Sequence, residues 1–302
     1  MADTVTPERL LAGVPRIESP FFDEIFARLD PDAETLRVAR DLHDRGFAVI
    51  DFPDEDFERH AEAIKHDLGE RFDLGAWRKK GGSMRIQDAW TFHPDVRALA
   101  VNKHILELLS LLYGRSAWPF QTLNFPVGTQ QPRHTDAVHF HSMPERFMCG
   151  VWVALEDVEL DSGPLIYYPG SHKLPIYDND QLGVEAADLN PHPGQRLYQP
   201  LWDALVAKHG LQPQRFAARK GQALVWTANL LHGGARHDDR SRTRWSQVTH
   251  YYFDDCVYYT PMHSNPAAGR IDRRWPRNVL DGRPVRSAGV LRRILHRLRY
   301  GG

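Results

Sequence analysis

The chain has 302 residues, 42% hydrophobic and 25% charged, enough for one large domain or two small ones with a sizeable core. A formal net charge of −1 gives no overall attraction to nucleic acid or anionic membrane, although acids crowd residues 1–75 and arginines crowd 270–299. Its two cysteines, Cys149 and Cys256, argue against a disulfide framework, and no apolar run reaches the roughly 18 residues of a membrane span.

Met1 to Arg16 lacks the apolar core of a signal peptide, so a cytoplasmic protein is expected. Ala33 to Arg45 has apolar residues at helical spacing, with Gly46 as its stop. Phe47 to Phe52 reads as a buried strand, Asp54 to Leu68 as a second helix, and Pro94 to about Tyr113 as a third. From residue 117 the pattern changes to short apolar and aromatic runs between turn residues: Trp118–Val127, Phe147–Val158, Leu165–Tyr168, Ala223–Ala228 and Arg244–Phe253. That spacing predicts a β-sandwich or barrel. Residues 172–213 form a Pro- and Asp-rich insertion with one helical piece near Leu201 to His209, of a length that usually serves function. The division expected is a single domain, 1–302: a mainly helical part (1–115), a β core (116–255) carrying the insertion, and a basic extension (256–302).

The chemistry starts at His134-Thr135-Asp136. On extended chain, residues two apart share a face, so His134 and Asp136 can reach one ion while Thr135 turns away. Two histidines and one carboxylate form the facial set of non-haem Fe(II) oxygenases. The chain has 16 histidines, so chance matches occur and context must choose among them. His93-Pro94-Asp95 opens a helix, where Asp95 is expected as a cap. His237-Asp238-Asp239 lies in a polar turn, where its acids are expected to be solvated. Only the copy at 134 begins the β-rich region with a suitable third ligand downstream. That ligand is His232, read at the end of an apolar strand (Val225 to Leu231) and before Gly233-Gly234. By itself such a histidine is more often a satisfied core residue; Arg244, at the head of the next strand, changes the weighing. With Ser246, Val248 and His250 it would point inward, and a buried guanidinium needs a carboxylate. The distal carboxylate of 2-oxoglutarate suits its bidentate fork, with Ser246 adding a hydrogen bond. A structural pairing with Asp or Glu is the plainer alternative, and Arg242 is the rival anchor.

Taken in order, Leu123-Asn124-Phe125-Pro126, His134-Thr135-Asp136, Val151 to Asp157, Gly163-Pro164-Leu165, Pro169-Gly170-Ser171-His172, Leu231-His232-Gly233 and Arg244 resemble the phytanoyl-CoA dioxygenase family of Fe(II)/2-oxoglutarate oxygenases. The resemblance covers about residues 40–255. It implies a mainly β fold with flanking helices, a double-stranded β-helix (jelly roll) with helices outside one sheet. It also implies iron on His134, Asp136 and His232, the distal carboxylate of 2-oxoglutarate on Arg244, and Asn124 and Trp152 lining the co-substrate. No further catalytic side chain is expected, because the metal and co-substrate carry the chemistry. Asp136 stands where related halogenases have a small residue, so hydroxylation or another C–H oxidation is favoured, with 2-oxoglutarate decarboxylated to succinate.

The expected partners are dioxygen and a small or medium-sized organic substrate, without nucleic acid. The alternatives are a cupin-like metal isomerase or hydrolase, and a non-catalytic ligand- or iron-sensing protein of the same fold; the first has no use for Arg244. His139 and His141 are expected at the pocket mouth or in solvent, His172 in a structural turn, and His250 as a core histidine. Trp90 and Phe92 are weighed as a substrate wall against simple packing. Val290 to Tyr300 reads as a basic amphipathic helix whose apolar face packs on the domain or on a second copy of the chain.

Overall fold

The computed structural model describes residues 6–184 and 194–285. The basic helix expected over 290–300 and part of the insertion lie outside them. The N-terminal part runs through α1 (Pro7–Leu10), α2 (Phe22–Leu29) and α3 (Ala33–Arg45) into β1 (Phe47–Asp51). Asp32 caps α3 by accepting from Thr35 N at 2.9 Å, and Gly46 ends it at φ 84°, a left-handed position that suits glycine. Val38, Ala39 and Leu42 form its buried stripe. Val38 and Leu42 each contribute about 1.5–3 kcal/mol by leaving water.

Next come α4 (Phe57–Gly69), α5 (Leu74–Lys80), β2 (Ile86–Gln87), α6 (Pro94–Ala100) and α7 (Lys103–Tyr113). The single helix expected over 94–113 is therefore two. Asn102 interrupts it because its side chain accepts from Ile105 N at 3.1 Å, starting a new helix. At the start of α6 the cap is His93, whose side chain accepts from Val96 N, and not Asp95, which faces His60 and Arg59.

The β region comprises β3 (Ala117–Phe125), β4 (His141–Met143), β5 (Met148–Ala154) and β6 (Leu165–Tyr167), then α8 (Asn179–Leu182) and α9 (Gln199–His209) in the insertion. It closes with β7 (Gln214–Phe216), β8 (Gln222–Thr227), β9 (His232–Gly234), β10 (Ser246–Phe253) and β11 (Val257–Tyr259). A six-stranded antiparallel sheet has the order β1-β8-β5-β10-β3-β2, and a smaller one the order β7-β6-β9. Together they make the double-stranded β-helix, mixed α and β, with α2, α3, α4 and α7 packed on one face of the large sheet and α9 in a separate cluster with Tyr168 and Leu231.

Strand alternation explains the layering. Val151, Val153, Val225 and Tyr251 point out of the large sheet into one core with residues of α2, α3, α4 and α7. Trp152, Leu224, Trp226 and Val248 point the other way, into a second core shared with Tyr167 and Phe216 of the small sheet. The cavity described below opens within that inner space. No helix among the described residues is long and apolar enough to cross a membrane.

Candidate metal centre and co-substrate cavity

The chain after β3 folds back against β9. His134 N donates to His232 O at 2.8 Å and His232 N to His134 O at 2.9 Å. Such a directly opposed pair places both side chains on one face, and the two rings lie 4.4 Å apart. Asp136 follows at the start of a 3₁₀ turn pinned by Ala137 N to Ala228 O (2.9 Å). One ligand atom from each of His134, Asp136 and His232 lies within 4.8 Å of the others, and all three residues are buried.

His232 does not end the strand that precedes it, as its sequence suggested. β8 stops at Thr227, a turn intervenes, and His232 opens β9. Gly233 and Gly234 permit a close approach of chain segments: a Cβ at Gly233 would stand 2.7 Å from Gln131 O, and one at Gly234 2.7 Å from Gln130 N.

The donor set fits a divalent metal. His134 Nδ1 faces Pro132 O at 3.0 Å and His232 Nδ1 faces Leu230 O at 3.0 Å, which puts the ring proton on Nδ1 and directs both Nε2 lone pairs inward. Burial, then the nearby His232 ring, lowers the His134 pKa to about 3, so it is neutral and able to bind a metal at neutral pH. Burial alone would raise the Asp136 carboxyl; the imidazoles of His232, His250 and His134 outweigh it and hold the group well below the usual range. Asp136 Oδ2 also accepts from Trp226 Nε1 at 2.7 Å.

A cavity of about 330 Å³ opens on the three ligands and is also lined by Trp152, Leu165, Val248 and Arg244. Arg244 is 1% exposed. It precedes β10 instead of lying on it, held by its N–H to Pro126 O at 2.8 Å. Its side chain donates, among the described residues, only to neutral oxygens, Gly163 O (3.2 Å) and Ser246 Oγ (2.7 Å). Among the described residues no carboxylate stands within 4.0 Å of it, and burial lowers its pKa to about 10 against the opposing charge of Glu156. Trp152 Nε1 is likewise buried without a partner among the described residues. Buried donors that lack a charged partner retain the capacity to hydrogen-bond an anion. Arg242, the rival anchor, is half exposed and paired with Asp161 and Asp239.

These pieces fall within one known family. The profile described as "Phytanoyl-CoA dioxygenase (PhyH)" matches residues 30–243. The chain belongs to this family. Among curated relatives, the peroxisomal phytanoyl-CoA dioxygenase of Rattus norvegicus is 27% identical over 139 residues, 43% of this chain and 36% of that protein. A probable phytanoyl-CoA dioxygenase of Caenorhabditis elegans is 29% identical over 146 residues, 45% of this chain and 40% of that one. The chain thus matches well under half the length of either. Two solved structures share its fold: the non-heme alpha ketoglutarate dependent carbocyclase SnoK (TM-score 0.58, 16% identity, 86% of this chain and 95% of that) and the epimerase SnoN (0.56, 19%, 75% and 85%), both from nogalamycin biosynthesis. EctD from S. alaskensis with 2-oxoglutarate and 5-hydroxyectoine is a third (0.51, 15%, 77% and 79%).

Not every residue that the family resemblance singled out meets the cavity. Asn124 points to the opposite face of β3, where its Nδ2 donates to Gln247 Oε1 at 3.1 Å; the strand's period of two gives the cavity Gln121, Leu123 and Phe125 instead. His139 lines the cavity and meets Gln195 Oε1 at 3.3 Å, whereas His141 is buried in β4 away from it. His172 is structural, its Nε2 donating to His43 O at 3.0 Å. Trp90 bonds Asp88 and Phe92 is exposed, so neither walls the cavity. His250, expected to point inward and weighed as a core histidine, lines the cavity. Sequence reasoning missed Trp226, Gln121, Gln87 and Gln195 among its lining residues; for Trp226 and Gln121 an inward position on strands already assigned was the available signal.

Proposed function

We propose that this chain is a non-haem iron(II), 2-oxoglutarate-dependent dioxygenase that oxidises a C–H bond of a small or medium-sized organic substrate. One observation carries the reading: a buried His-Asp-His triad and a buried guanidinium that pairs with no carboxylate among the described residues line the same cavity. His134, Asp136 and His232 would hold the metal on one face and leave the other open. Arg244, fixed by Gly163 and Ser246, would take the distal carboxylate of 2-oxoglutarate, with Trp152 beside it. The bound iron and 2-oxo acid together supply oxygen activation: dioxygen, 2-oxoglutarate and substrate–H become CO₂, succinate and substrate–OH. The protein's own contribution is to orient the substrate and to limit water in a cavity walled by Leu123, Phe125, Leu165 and Val248.

The polar side chains that share the cavity, Gln87, Gln121, His139 and Gln195, favour a substrate with hydrogen-bonding groups over a bare hydrocarbon chain. Two free buried cysteines accord with a reducing compartment. A metal isomerase or hydrolase would leave Arg244 unexplained. The test is an anaerobic titration of the purified protein with Fe(II) and then 2-oxoglutarate, watching for the visible charge-transfer band of a chelated 2-oxo acid. Asp136→Ala should abolish stoichiometric iron binding and the band. A wild-type protein that takes up no iron would end the proposal.

A further inference from the structure

We propose that Trp226 is a positioning residue for this metal centre: its indole N–H occupies one oxygen of Asp136 and so presents the carboxylate to the metal through the other alone. The inference rests on the triad being an iron site. Asp136 Oδ1 faces both imidazoles, 3.9 Å from His134 Nε2 and 3.9 Å from His232 Nε2. Oδ2 points away from them and accepts from Trp226 Nε1 at 2.7 Å. The indole can only donate, so the bond has one sense, and an ionised acceptor strengthens it. A carboxylate free to use both oxygens would fill an extra position on an octahedral ion. Three positions remain only if Asp136 supplies one.

The sheet is built to admit this contact. Gly150 stands beside Trp226 in register on β5, and a Cβ there would lie 2.3 Å from indole Cε2 and Cζ2. On the other side of Gly150, His250 is in register on β10, its Nε2 3.6 Å from the same Oδ2 and its Nδ1 3.0 Å from Gln121 Oε1. One cross-strand row, Trp226, Gly150, His250 and Gln121, thus carries the two side chains, Trp226 and His250, that face this carboxylate oxygen. Were Trp226 only filling space at 2% exposure, a phenylalanine would serve as well.

Trp226→Phe keeps a ring over Gly150 and deletes the N–H. Titrated anaerobically with Fe(II), this variant should bind iron about 10–100-fold more weakly than the wild type. Its circular dichroism should stay unchanged, and the charge-transfer band of its iron and 2-oxoglutarate complex should be displaced. Gly150→Ala should push the indole away and weaken iron in the same way, and the double variant should lose no more than the worse single one. If Trp226→Phe does not fold, Gly150→Ala carries the same comparison. Binding within twofold of wild type with an unmoved band overturns the role of Trp226 while leaving the iron site intact. Failure of the wild type itself to bind iron removes both readings.

Discussion

Replacing Arg244 with methionine tests whether the guanidinium exists for a ligand or for the fold. Methionine keeps an unbranched apolar stem and deletes the guanidinium, whose Cζ lies 5.5 Å from the Trp152 ring centroid. Burial lowers the Arg244 pKa from 12.5 to about 10, which at about 1.4 kcal/mol per unit costs the folded, unliganded protein on the order of 3 kcal/mol at neutral pH. Neutral partners at Gly163 and Ser246 offset only part of that. A ligand carboxylate would restore the balance through charge-assisted bonds of about 1.5–3 kcal/mol each. The Met variant should therefore lose roughly 100-fold in 2-oxoglutarate affinity, about 3 kcal/mol. Fe(II) affinity should not change. Without ligand it should be as stable as the wild type or more so, whereas 2-oxoglutarate with iron should raise the melting temperature of the wild type alone. Isothermal titration and thermal unfolding, each with and without the co-substrate, read all three. A Met variant that binds 2-oxoglutarate normally, or that unfolds several kcal/mol more easily when empty, would show that the arginine serves the fold.

Two other substitutions probe how the site is held. Gly233→Val drives a side chain into Gln131 O, 2.7 Å from where its Cβ must sit, and should separate the His134–His232 pair. The expected cost is about 1–3 kcal/mol in chemical denaturation together with loss of iron binding; normal iron affinity would contradict the close-approach argument. His172 is 2% exposed, and burial lowers its pKa from 6.5 to about 4. Because the folded value is the lower one, its contribution to stability is present above pH 6.5 and is lost as pH falls through 4, on the order of 3 kcal/mol. Stability curves of wild type and His172→Gln should diverge in that window, and parallel curves would refute the assignment.

Patterns that act over a few residues were legible in the sequence. The α3 stripe and its Gly46 stop follow from local periodicity and chain stereochemistry, and the strands followed from apolar runs between turn residues. The clustering of His134, Asp136 and His232 was legible because spacing of two on extended chain is a strong geometric constraint, and the place of Arg244 beside the same cavity because it heads an inward-facing row. What failed depended on contacts that sequence does not display. Asn102 looks like any polar residue inside a helix until its side chain turns to cap Ile105. Asn124 was placed by likeness to a family, and the parity of β3 relative to Leu123 put it on the other face. Trp226 resembles any buried aromatic, since its importance lies in a glycine on a neighbouring strand and a carboxylate 90 positions away.

The inner face of the large sheet also orders the groups that the proposed dianionic co-substrate would meet. Beside Asp136 runs the row Trp226, Gly150, His250, Gln121; the next inner row is Leu224, Trp152, Val248, Leu123; then come Ala154, Ser246 and Phe125, with Arg244 just beyond. Successive inner rows are two residues apart, about 6.6–6.8 Å along a strand. Arg244 lies three such steps, roughly 20 Å of strand, from His250, and its side chain reaches back past Ser246 into the cavity, with apolar side chains as the floor between it and the metal row. A ligand with carboxylates at both ends of a short chain meets both; a monocarboxylate would leave the guanidinium unanswered, a penalty of several kcal/mol. On this argument spacing matters more than any single side chain. One residue added to β10 between Ser246 and His250 would turn half the row outward. The irregularity that β10 does carry against β3 falls at His250/Tyr251, past the metal row, where it leaves the span from His250 to Arg244 untouched.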